Sequence, residues 1–128
     1  RGRGQDRRPL QGLQAGAQVT TRPTGCGGLQ IGYTGLPLAG ETFTAHVSNA
    51  QGLSGLVAGF PVNQPIPGCN GCLQGVQGFT LIGSQISVQI PFTGSFVGMP
   101  MAFQAFDLGV GPCLAQVSLS DTIDATIR

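Results

Sequence analysis

The sequence has no lysine and no tryptophan, one tyrosine and one histidine, and only 9% of its 128 residues are charged, against roughly a quarter in an ordinary globular chain. Without lysine there is no phosphate loop of the Walker type, and no Gly-x-Gly-x-x-Gly precedes a helix. The scarcity of aromatic rings leaves little with which to stack bases or sugars. No apolar run approaches 18 residues, so no helical membrane span is expected. No Asn-x-Ser/Thr acceptor occurs, because "NAQ", "NQP" and "NGC" all fail.

What is present is apolar and flexible: 41% hydrophobic residues, 22 Gly and 9 Pro. The length accommodates one core. The surface must be built from Gln, Thr, Ser, Asn and Gly, and so weakly charged a surface associates easily. The net charge of +1 conceals an asymmetry. Residues 1–22 hold Arg1, Arg3, Arg7, Arg8 and Arg22 against Asp6, while the remainder holds Arg128 against Glu41, Asp107, Asp121 and Asp124. A basic arm on an acidic body suits an anionic surface or a neighbouring body. Nucleic acid is disfavoured, since the arm has no aromatic residue and the body repels phosphate. A start at Arg1 is expected of a processed, secreted chain.

Period-two alternation dominates. It predicts strands at 29–33, 42–48, 76–83, 84–92, 101–108, 113–120 and 122–127, plus a continuous apolar strand at 56–60. "PVNQPIPGCNGC" (61–72) reads as the longest loop. No helical periodicity survives the glycines. Seven to nine strands cut by Gly and Pro turns predict an all-β, antiparallel, Ig-like sandwich over residues 25–128, preceded by an extended strand or arm at 1–24.

The motifs "GCGG" (25–28), "GLPLAGETFTAHVSNA" (35–50), "PGC" (67–69), "MAFQAFDLG" (101–109) and "VSLSDTIDATI" (117–127) resemble those of the uncharacterised Gly-rich β-sandwich modules near the C-termini of large secreted planctomycete proteins. The resemblance covers roughly four-fifths of the chain and leaves out residues 1–24. It implies a secreted, noncatalytic sandwich module and names no ligand.

Four cysteines, Cys26, Cys69, Cys72 and Cys113, read as two disulfides. Counting alternating strands places Cys26 and Cys113 at one end of the sandwich, leaving Cys69 with Cys72. The crossed pairings stay open, and so do a four-thiolate zinc site and a redox pair. The zinc reading lacks a second Cys-x-x-Cys, and the redox reading lacks a basic neighbour. His46 falls on an outward strand face with no partner placed by motif, so no catalytic residue is assigned. Asp121 and Asp124, three apart on a strand, point to opposite faces. They make no calcium loop, and Asp107 reads as a turn residue. No cofactor or metal is expected.

One strand lies outside the body. In "LQAGAQV" (13–19), Leu13, Ala15, Ala17 and Val19 alternate with Gln14, Gly16 and Gln18. Ordering such a segment costs about 1–2 kcal/mol per residue, and pairing along one edge returns few hydrogen bonds. A groove with partners on both sides, or an edge where the strand also covers exposed core, is therefore the favoured place for it. "TTRPTG" (20–25) reads as a short link holding the strand off its own domain. In this it resembles the donor strand of pilin-like filament subunits. Beside the reading of a disordered leader whose alternation is chance, three expectations follow. The first is a structural subunit polymerising head to tail with copies of itself through this strand, with Arg1, Arg3, Arg7 and Arg8 reaching acidic groups of the next body. The second is a secreted glycan- or surface-binding module whose strand folds on its own domain. The third, an enzyme, has no constellation to support it.

Overall fold

A computed structural model describes residues 18–66, 68, 72–109 and 117–128. Among these residues eight strands form two antiparallel sheets. They are β1 (Gln18–Arg22), β2 (Gln30–Thr34), β3 (Thr42–Ser48), β4 (Leu53–Pro65), β5 (Leu73–Ile82), β6 (Gln85–Gln89), β7 (Pro100–Leu108) and β8 (Val117–Thr126). One sheet has the order β1-β8-β7-β4-β5 and the other β2-β3-β6. The all-β sandwich expected from the alternation is the architecture found. The chain crosses between sheets from β1 to β2, β3 to β4, β5 to β6 and β6 to β7, and the β3–β4 and β6–β7 crossings match the Greek key of Ig-like sandwiches.

The core lies between the sheets and follows strand parity. Phe43 and Ala45 of β3, Ile86 of β6, Leu56 and Ala58 of β4, Phe103 and Ala105 of β7, and Ile123 and Ala125 of β8 face inward and are buried. The ring of Phe43 meets that of Phe103 at 5.4 Å between centroids, and such tilted pairs add to area burial.

Two irregularities set the rest of the architecture. Where β7 pairs with β8 the register slips between Gln104 and Phe106, so β8 carries one extra residue there. The sequence suggested a break at this point, between 113–120 and 122–127. The structure instead runs one strand through it, with a bulge at Ser120–Asp121. Ser120 Oγ accepts from Ala105 N (2.8 Å) and donates to Asp121 O (2.7 Å), satisfying the interrupted ladder. A bulge also switches which face each residue occupies. Leu119 therefore turns outward into a second small cluster with Phe106 and Cys72, while Ile123 turns inward.

The second irregularity is in β4, whose pairing with β5 shifts between Pro61 and Gln64. Beyond it the hairpin does not become the loop expected at 61–72. Pairing continues to Pro65 and Leu73, and this half folds back over the outer face of β7 and β8. A polar layer joins it there. Gln104 is buried, with Oε1 accepting from Gly75 N (2.9 Å) and Nε2 donating to Leu73 O (3.0 Å) and Ser120 O (2.9 Å). Thr24 and Thr122 share a hydroxyl contact of 2.6 Å beneath it. A Cβ at Gly75 would overlap Thr122 Oγ1, so only glycine permits this approach.

Candidate functional site

The strand that carried the functional expectation divides at residue 18. Leu13, Ala15 and Ala17, with Arg1, Arg3, Arg7 and Arg8, lie outside the described residues. Val19 is described, and it packs against the central core of its own domain. Residues 18–22 pair in register with β8, from Gln18↔Thr126 to Arg22↔Thr122. The sandwich therefore includes residues 18–24, and "TTRPTG" is not a free link.

The reason is that this edge offers more than backbone bonds. The Arg22 guanidinium engages Asp124 through Nε and Nη2, the latter at 3.0 Å from Oδ1. It also donates to Val62 O and Gly75 O, both at 2.7 Å. Thr24 is buried, its carbonyl accepts from Leu73 N (3.0 Å), and Cys26 bridges to Leu119. Four hydrogen bonds from one planar cation, two of them to a carboxylate, supply what a bare edge lacks.

The cysteine pairing is also corrected. Cys26 is bonded to Cys72, with Cα atoms 5.2 Å apart, in place of the expected Cys26–Cys113 and Cys69–Cys72. Strand counting treated 61–72 as a loop remote from Cys26. The folded-back hairpin brings Cys72 onto the outer face beside the Cys26–Leu119 bridge, where Leu73 N reaches Thr24 O. Cys69 and Cys113 lie outside the described residues. The bond excludes a site using all four thiolates.

The carboxylates of Asp107, Asp121 and Asp124 have structural partners. Asp107 is not an exposed turn residue. It is buried in β7, where its two oxygens accept from Gln51 N (2.7 Å) and Gly52 N (2.8 Å) and hold the β3–β4 turn. Asp121 accepts from Gly25 N at the bulge (2.9 Å), and Asp124 holds Arg22, so the two acids work apart as their spacing implied. His46 is half-buried and its ring lies over Gly32 of the paired strand. It lines a cavity of about 260 Å³ with Asp121, Thr21 and Ser48. Among the described residues no group of three or more His, Cys, Asp or Glu is placed to hold a metal ion.

The surface feature that sequence reasoning missed is apolar. β5 is the edge of the wider sheet, and its residues 79–82 (FTLI) are exposed, Phe79 at 62% and Leu81 at 42%. Their parity matches the core face, through Ala58↔Phe79 and Leu56↔Leu81, but the narrower sheet ends at β6. An apolar cavity of about 190 Å³ opens there, lined by Ala58, Phe79, Val88, Met99, Met101 and Phe103. The sequence carried two signals. "FTLI" has apolar residues on both parities, and no Asp, Glu, Lys or Arg occurs from Thr42 to Phe106. Edge strands are normally blunted with charge or proline, and β6 has neither. A larger cavity, about 400 Å³, lies on the outer face among Val57, Ile66, Val76, Phe106 and Leu119. Gln104, also on its wall, spends its amide within the fold.

No protein-family model, curated protein or solved structure matches the chain.

Proposed function

We propose that this chain is a noncatalytic structural subunit of an extracellular assembly and that it associates with copies of itself. The observation that carries this reading is the open flank of the sandwich, where the core face of β5 continues past the covering sheet beside the uncharged edge of β6. Contiguous exposed apolar surface next to an unpaired strand edge is a template for association. The scarcity of charge elsewhere lowers the repulsion that would keep copies apart. The Cys26–Cys72 disulfide suits an oxidising compartment, and no helix among the described residues is long and apolar enough to cross a membrane.

A glycan- or surface-binding module is the second reading. It gains support from the docking of β1 on its own domain, which it requires. It is weakened because the lone tyrosine, Tyr33, stacks on Phe43 rather than standing free as a sugar platform. Light scattering coupled to size exclusion, over a wide concentration series, with negative-stain microscopy, separates the two. Growth of mass with concentration is expected. A monodisperse monomer throughout would leave the binding module as the better account.

A further inference from the structure

In an Ig-like sandwich the sheet facing strands C, F and G has the order A-B-E-D, with D on the free side of E. By sheet position, β3 stands at B, β4 at C, β6 at E, β7 at F and β8 at G. β5 joins β6 through Gly83 and Ser84 alone, and no described segment stands at D. The D lane is walled by the free edge of β6 and floored by Phe79 and Leu81 of β5, beside the apolar cavity that also includes Val88 and Met101.

We propose that this lane takes residues 13–17, LQAGA, of a second copy as an added strand along β6. The proposal rests on the assembly reading above and names the acceptor and the segment that joins it. The segment and β6 are each five residues long. Leu13, Ala15 and Ala17 share one face, one large side chain and two small, which suits a lane already partly filled by Phe79 and Met101. Main-chain bonds supply attachment, and alternate side chains enter the groove.

The same segment of the same copy cannot reach this lane. Residue 17 is bonded to Gln18, which pairs with Thr126 at the opposite edge of the five-stranded sheet. β6 lies over β4, about 14 Å across the sheet and about 10 Å above it, whereas adjacent Cα atoms are about 3.8 Å apart. Nor can the segment continue along β8. That register would set residue 16 against Arg128, whose N–H donates to Pro37 O and whose carbonyl accepts from Ala39 N, both at 2.9 Å. The buried Pro37 and its neighbours already occupy that lane.

Two full-length variants test the pairing. Ala15→Asp spoils the strand and keeps the lane, and Phe79→Asp does the reverse at a side chain exposed enough to leave the fold intact. Leu81→Asp is a second lane variant, and circular dichroism checks each. Wild-type protein is expected to grow with concentration, and each variant alone to remain monomeric. An equimolar mixture of Ala15→Asp with Phe79→Asp is expected to stop at a heterodimer, because one intact strand fills one intact lane. If wild type and both variants associate equally, this pairing is overturned while the assembly reading stands. A mixture that stays monomeric also overturns the pairing. Wild type that is monomeric at every concentration overturns both.

Discussion

Arg22 reaches diagonally across the β1–β8 pair to Asp124, and the same guanidinium ties the folded-back β4–β5 hairpin to the sheet through Val62 O and Gly75 O. One side chain thus joins its own strand β1 to β8 and to both arms of the β4–β5 hairpin. Arg22→Lys keeps the charge but cannot span a carboxylate and two carbonyls at once. A loss of about 1–3 kcal/mol is expected in urea unfolding, larger than that for Asp124→Asn, which keeps an acceptor. Equal stability of Arg22→Lys and wild type would remove the fork from this account.

The Cys26–Cys72 bond closes a loop with a sequence separation of 46. By loop-closure entropy its removal in Cys26→Ala/Cys72→Ala costs about 4 kcal/mol, read as a lower denaturation midpoint. Peptide mapping without reduction should recover Cys26 linked to Cys72. A Cys69–Cys72 link would contradict the fold-back of the hairpin.

Gly75→Ala is expected to destabilise the domain by about 1–3 kcal/mol through overpacking, because the new methyl meets Thr122. Combining it with Thr122→Ala should cost less than the sum of the single changes, since the two residues share one contact. Additive losses in thermal or chemical unfolding would place the strain elsewhere.

Asp107→Ala leaves the Gln51 and Gly52 amides without their carboxylate. A loss of about 2–4 kcal/mol is expected. Faster hydrogen exchange should be confined to residues near 49–53, and unchanged exchange there would show that the turn holds itself.

Much of the fold was legible locally. The strand at 42–48 appears with the predicted bounds and inward face, because Phe43 and Ala45 alternate with Thr44 and His46 and no neighbour competes. The bulge in β8 was not legible. A polar Ser-Asp pair between apolar runs reads equally as a turn or as an inserted residue, and only pairing with β7 distinguishes them. The long hairpin was hidden by its prolines, which look like loop punctuation, yet Pro61 adjoins the register shift in β4 and Pro65 still pairs with Leu73.

The candidate site was legible in part. Of the alternating stretch 13–19, Gln18 and Val19 lie in β1 and the rest lie outside the described residues. The exposure of Phe79 could not be read, since it depends on how far the opposite sheet extends.

Local pattern alone specified an all-β chain, the residues that alternate into the core, and a stretch from Thr42 to Phe106 without Asp, Glu, Lys or Arg. These follow from backbone periodicity and side-chain chemistry, which act over a few residues. The fold was needed to settle which cysteines meet, that Arg22 anchors β1 to its own sheet, and that β6 pairs only with β3 among the described residues. Each depends on contacts between strands far apart in sequence, whose geometry is set by sheet width, bulges and bends.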